Sequence, residues 1–128
     1  MNPPTFLTSS LAVALGGGFG AWLRFVAGRL INAGLFPFAT LTVNILGSIA
    51  MGLLAGWLAR HGTGGETWRL LLGVGVLGGF TTFSAFSLEL VLMIERGTPG
   101  MAVLYAAVSV LAGVAGLFAG LMLMRTTI

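Results

Sequence analysis

The segment Gly78-Gly79-Phe80-Thr81-Thr82-Phe83-Ser84-Ala85-Phe86-Ser87 places two glycines and four hydroxyl side chains inside an uncharged stretch, residues 70–88. That stretch is about as long as a helix that spans a bilayer. Polar groups in the middle of a bilayer lack water, so the protein itself or a passing solute must satisfy them. The segment therefore predicts a membrane helix that is broken near residues 78–82 and is polar and aromatic there.

The rest of the chain is similarly apolar. Of its 128 residues, 57% are hydrophobic and 7% are charged, and the mean hydropathy is +1.05. Uncharged stretches cover residues 1–23, 30–59, 70–88 and 97–124, and each is about long enough to span a membrane. We predict an all-α, multi-pass protein of the cell inner (plasma) membrane. It forms a single domain, residues 1–128, with helices at about 6–30, 38–58, 68–94 and 101–124.

The charged residues are six arginines and three glutamates, without lysine or aspartate. The arginines are scattered at helix ends, which favours membrane anchoring over nucleic-acid binding. Four spans divide them equally between the two sides of the membrane: Arg60, Arg69 and Arg125 against Arg24, Arg29 and Arg96. Orientation normally follows an excess of basic residues on one side. The balance therefore predicts insertion in both orientations and an antiparallel, two-fold homodimer.

The predicted break combines residues that weaken a helix with polar and aromatic side chains. Two adjacent glycines followed by two threonines weaken a helix and can free its backbone carbonyls. Phe83, Phe86 and Glu89 then recur at a spacing of three, so they share one helix face. Polar residues also recur on single faces of the second and fourth helices, at Asn44 and Ser48 and at Tyr105 and Ser109.

Several of these side chains have both a structural and a functional interpretation. Asn44 either bonds a neighbouring helix or turns its NH donors towards an anion. Phe83 and Phe86 either pack as ordinary membrane phenylalanines or present electropositive ring edges to an anion. Glu89 either reaches water near a helix end or acts as a vestibule carboxylate or proton carrier.

The sequence lacks the residues that the active site of an enzyme would need. Ser84 and Ser87 have no histidine base within the membrane, and the one histidine, His61, falls in a loop. The chain also has no cysteine, which excludes a thiolate metal site and a cysteine nucleophile. We therefore predict that the protein is not an enzyme.

Residues 78–87 resemble the GGxTTFSTF signature of the small fluoride channels, the Fluc or CrcB family. The resemblance covers the whole chain: residues 17–24 are similar to the family's glycine-rich GAxxR motif, and residues 40–47 to its GTLxxNxxG motif. There are two departures from the pattern. Ala39 stands where the family usually has glycine, and Ala85 stands where it usually has threonine.

This resemblance implies an antiparallel homodimer with two separate fluoride pathways. Phe83 and Phe86 would be the ring-edge contacts, with the donors of Asn44 near them. The polar track along the third and fourth helices would include Thr82, Ser84, Tyr105 and Ser109, and the candidates for the vestibule are Arg24 and Glu89.

The family likeness also implies a structural sodium ion at the dimer interface, bound by the backbone carbonyls of Gly78 and Thr81 from both copies. Oxygen ligands at a helix break suit a hard cation. A two-fold axis would double two carbonyls to four.

The expected function is passive, fluoride-selective export from the cytoplasm. The alternative is a small proton-coupled multidrug exporter of the four-helix, dual-topology type, which needs a membrane carboxylate; Glu89 is its one candidate. A structural membrane subunit without transport would explain the glycine-rich helix faces, but it would leave the Thr-Thr-Phe-Ser strip unexplained.

Overall fold

The computed structural model describes residues 3–31, 34–62 and 64–127, and in these ranges the fold is entirely helical. The elements are α1 (Phe6–Ile31), α2 (Phe38–Arg60), α3 (Gly65–Trp68), a π-helical segment (Arg69–Leu77), α4 (Gly78–Phe80), α5 (Ser84–Glu95) and α6 (Pro99–Thr126). Elements α3 to α5 form one interrupted third span, Gly65–Glu95. With α1, α2 and α6 this makes four stretches within the described ranges that are long and apolar enough to cross a membrane, which confirms the four-helix prediction.

Glycines allow the spans to pack in two close pairs. The helix α1 lies against the first half of the third span, and α2 lies against α6. A Cβ atom on Gly16 would come within 2.5 Å of the Leu71 carbonyl, and one on Gly52 would overlap the Leu117 carbonyl. Because lipid removes the hydrophobic drive between membrane helices, such close backbone contact is a main source of their packing energy.

The buried apolar cluster lies between α5 and α6. It comprises Phe86, Met93, Ala102 and Tyr105, with Phe36 and Leu41 packed against its edge. Much of the remaining apolar surface is exposed, including most of the Phe83 ring at 79%. Large exposed apolar surfaces of this kind are covered by lipid or by another protein chain.

The interruption of the third span lies slightly beyond the predicted position. The glycine pair remains helical in α4, and the backbone turns extended at Thr81, with φ −85° and ψ 160°. Helix resumes at Ser84. The predicted window of residues 78–82 therefore overlaps the break, but the glycines do not form it. Gly79 packs against α1 instead, where a Cβ atom would lie 3.0 Å from the Ala21 nitrogen.

The π-helical winding of Arg69–Leu77 is a feature that the sequence analysis did not predict. Its residues Gly73 and Gly75 are buried, and Gly75 meets Gly16 of α1 at close range. Wider winding of this kind is rare and is frequent at functional sites. Here it leads directly into the interrupted part of the span.

Candidate functional site

An open groove of about 480 Å³ runs beside the break, between α2, the third span and α6. Five of the side chains singled out from the sequence line it: Asn44, Thr82, Phe83, Phe86 and Ser109. The two residues named for their carbonyls, Gly78 and Thr81, line it as well. Ser84 and Tyr105 are not among the lining residues, so the structure brings most of the predicted set, but not all of it, to one place.

Asn44 connects α2 to the break through both ends of its side-chain amide. Its Nδ2 donates to the Thr82 carbonyl at 3.0 Å, and its Oδ1 accepts from the Thr82 N–H at 2.8 Å. The side chain thus satisfies both backbone groups of a residue that has left the helix. Nδ2 carries two hydrogens, so the contact to Thr82 accounts for one of them and leaves the second for another acceptor.

The hydroxyl of Thr82 supports the start of α5. Its Oγ1 accepts from the Ala85 N–H at 3.1 Å, which satisfies one of the amides that a helix start leaves open. Ser84 Oγ lies 3.5 Å from the same oxygen and is exposed. Thr82 is therefore bonded through its N–H, its carbonyl and its hydroxyl.

The two phenylalanines occupy different environments. Phe86 is 9% exposed and packs in an edge-on contact with Tyr105, with ring centroids 5.0 Å apart. Phe83 projects into the open side of the groove, and its ring centroid lies 5.9 Å from that of Phe86. Phe83 and Phe86 are three residues apart, and both rings line the groove. An ion in the groove would therefore be near both rings.

Two hydroxyl groups, from Thr40 and Tyr105, donate to the Glu89 carboxylate. Thr40 Oγ1 donates to its Oε2 at 3.0 Å, and the fully buried Tyr105 donates through its hydroxyl to Oε1 at 3.3 Å. Sequence reasoning missed Thr40, although it stands four residues before Asn44 and so lies on the same face of α2. This four-residue spacing was the sequence signal that could have identified Thr40.

Ser109 carries a polar atom that the protein leaves open. Its Oγ is buried and, within the part of the chain that the structure describes, has no hydrogen-bond partner. Buried hydroxyls nearly always have a partner, so an exception inside a groove indicates that a solute or water fills the position. Ser48, which also lines the groove, instead donates to the Asn44 carbonyl of its own helix at 2.8 Å.

The break also releases the carbonyls of Gly78 and Thr81. In a continuous helix these would accept from the N–H groups of Thr82 and Ala85, respectively. Thr82 N–H donates to Asn44 Oδ1 instead, and Ala85 N–H donates to Thr82 Oγ1. Carbonyl oxygens released in this way are the type of ligand that a hard cation such as sodium takes, so the residues fit such an ion.

Arg24 contacts the helical turn that precedes the break. Its Nε donates to the Gly79 carbonyl at 3.2 Å from a half-buried position on α1. The vestibule role expected for Arg24 and Glu89 stays a prediction, since both side chains are held by protein groups in this structure.

The profile of the family described as CrcB-like protein, Camphor Resistance (CrcB), matches residues 11–121. The chain belongs to this family. The match confirms the CrcB resemblance recognised in the motifs, and it extends from α1 to near the end of α6.

Curated CrcB relatives are similar over almost their whole length. A protein of Novosphingobium aromaticivorans is 62% identical over 124 residues, which cover 93% of this chain and 98% of the relative. One from Phenylobacterium zucineum is 57% identical, and one from Caulobacter vibrioides is 52% identical. Each of these alignments covers 90% of this chain and 94% of the relative. All three are named fluoride-specific ion channel FluC.

Proposed function

We propose that this protein is a fluoride-specific ion channel, and not an enzyme. The observation that carries the proposal is the uncharged groove beside the break, which combines the amide of Asn44, the open hydroxyl of Ser109 and two phenyl rings. The names of its curated relatives agree with this function. These names give no support to the alternative function, a proton-coupled multidrug exporter.

The groove chemistry suits a small anion that must lose its water. Dehydrating fluoride is costly unless donors replace the hydration shell. The second Nδ2 hydrogen of Asn44, the Ser109 hydroxyl and the electropositive ring edges of Phe83 and Phe86 supply replacements. Among the described residues that line the groove, none is charged, so the ion is bound without being trapped.

Passive conduction is sufficient for export. The negative interior of a cell drives an anion outward by about 2.3 kcal/mol for each 100 mV of membrane potential. The groove therefore needs no energy-coupling site. This favours a channel in the inner membrane that releases cytoplasmic fluoride down its electrochemical gradient.

The pathway is completed, in this proposal, by a second copy of the chain in antiparallel orientation. The groove is open along one side, and Phe83 and Gly78 are exposed there, so one chain alone does not enclose an ion. The equal division of arginines between the two sides supports insertion in both orientations. A two-fold dimer of this kind contains two identical pathways.

A sodium ion at the centre of this dimer would be held by the released carbonyls of Gly78 and Thr81 from both chains. When bound, it would supply a fixed positive charge that ties the two breaks together. The diverted hydrogen bonds of Thr82 and Ala85 support this assignment, since they leave those oxygens available to a cation.

The exporter alternative depends on Glu89, and the structure gives it little support. Glu89 does not line the groove, and it is engaged by Thr40 and Tyr105. A proton-coupled carboxylate must meet both its substrate and water. Glu89→Gln therefore separates the two functions: it abolishes transport by an exporter, whereas a channel retains ionophore-driven fluoride flux that needs no proton gradient.

The direct test is fluoride efflux from proteoliposomes, measured with a fluoride electrode after a potassium ionophore is added. Phe83→Ile and Phe86→Ile are expected to slow efflux without abolishing dimer assembly, because both substitutions remove ring edges from the groove. Phe118→Ile is the matched control, since Phe118 lies on α6 with 61% of its surface exposed and does not line the groove. Retention of fluoride by vesicles that contain intact wild-type protein would refute the proposed function.

A further inference from the structure

Arg24 reaches the break from a helix that carries no part of the groove. It stands four residues after Gly20, so the two share one face of α1. Gly20 lies directly against the backbone of Val76, and a Cβ atom there would be 2.8 Å from the Phe80 nitrogen. This close contact brings α1 near enough for the Arg24 Nε to bond the Gly79 carbonyl at 3.2 Å.

The Gly79 carbonyl needs such a partner because the helix ends immediately after it. In a continuous helix it would accept from the Phe83 N–H. However, α4 ends at Phe80, and the extended backbone at Thr81 diverts the chain. The last carbonyls of a helix carry partial negative charge, and an arginine that bonds them is stabilised by that charge.

The charge of Arg24 is not used in an ion pair within the described ranges, where the salt bridge found is Arg69–Glu66. Arg29, five residues further along α1, differs from Arg24 in its surroundings. It is exposed and lies over the Phe25 ring, with its guanidinium carbon 5.5 Å from the ring centroid. Of the two arginines at this end of α1, Arg24 is the one bonded to the third span.

We propose that Arg24 is a positioning residue, which caps the first half of the third span from α1 and thereby fixes the geometry of the break. Asn44 holds the middle of the break, and Thr82 supports the start of α5. Arg24 thus provides a third attachment, which comes from α1. Its effect on transport rests on the proposed channel function, whereas its effect on the break does not.

Hydrogen–deuterium exchange of the full chain in lipid nanodiscs tests the cap without measuring transport. Arg24→Met is expected to raise amide exchange in residues 81–87 by about tenfold, because a charge-assisted bond to the helix end is lost. Exchange in residues 45–53, on the opposite helix pair, is expected to stay unchanged. Arg29→Met removes the same charge from the same helix and is expected to leave both regions as they are in the wild type.

Fluoride efflux from proteoliposomes supplies the second measurement. Arg24→Met is expected to lower the maximal rate at least fivefold, while the half-saturating fluoride concentration stays within about twofold of the wild type. Arg24→Lys keeps a cationic donor and is expected to recover most of the rate and most of the exchange protection. Recovery by lysine in both measurements distinguishes a cap from general packing.

Three results would overturn the proposal. The first is unchanged exchange in residues 81–87 of Arg24→Met. The second is an equal rise in both regions, which would indicate general destabilisation. The third is an efflux defect that disappears at saturating fluoride, which would make Arg24 a charge that attracts anions to an entrance. If the wild type carries no fluoride at all, the proposed function fails, while the exchange measurement still decides on the cap.

Discussion

Replacing Asn44 with leucine removes the attachment between α2 and the break while keeping the size of the side chain. Two hydrogen bonds are lost, at 3.0 Å to the Thr82 carbonyl and at 2.8 Å from the Thr82 N–H. Each contributes about 1 kcal/mol net, and the Thr82 groups left behind incur a further cost. We expect Asn44→Leu to lower the free energy of unfolding by about 2–3 kcal/mol.

The measurement is reversible unfolding in mixed SDS micelles, followed by fluoride efflux of the refolded protein. Ser48→Ala is the matched control, since Ser48 lines the same groove but donates within its own helix. We expect Ser48→Ala to change the free energy of unfolding by less than about 0.5 kcal/mol. Efflux through Asn44→Leu should be lost even from the folded fraction. If Asn44→Leu unfolds at the same SDS fraction as the wild type, the attachment does not hold the break and the reasoning is wrong.

Three further predictions concern packing, orientation and the cation. Gly79→Ala should destabilise the protein by about 1–3 kcal/mol, because its methyl group would overlap the Gly17 carbonyl. Gly18→Ala is the control and should not destabilise the protein, because nothing lies within 4 Å of a Cβ atom at that position. Equal unfolding of the two variants would contradict the close packing of α1. Terminal tags probed in intact cells should be labelled from both faces of the membrane, and labelling from one face would exclude dual insertion. Replacing sodium by an impermeant organic cation throughout purification should weaken dimer assembly, and dimers of unchanged stability would argue against the sodium site.

The number of spans could be predicted from sequence because it depends on the length of apolar stretches alone. The position of the break could be predicted only approximately. Gly78 and Gly79 have poor helix propensity, yet they remain helical because α1 packs against Gly79. The interruption falls instead at Thr81 and Thr82, where Asn44, distant in sequence, replaces the helical hydrogen bonds.

Five of the predicted pathway side chains line the groove, but their individual contacts could not be predicted from the sequence. The family resemblance assigned Asn44, Phe83 and Ser109 to one pathway, and the structure brings them to one groove. It also bonds Tyr105 to Glu89, away from the groove lining, because Thr40 and Tyr105 both donate to the same carboxylate. Such a three-way contact between α2, α5 and α6 depends on how the helices pack, which periodicity on each helix does not report.

The interruption of the third span also has a consequence for biosynthesis. The segment α5 has 12 residues and is about 18 Å long, well short of the roughly 30 Å needed to cross the hydrocarbon core. The insertion machinery must therefore admit all 31 residues of Gly65–Glu95 as one unit, with the polar break inside it. Since the ribosome completes α2 before the break emerges, Asn44 is synthesised before its partner Thr82. The order of synthesis thus supplies the side chain that bonds the Thr82 peptide groups before those groups leave the ribosome.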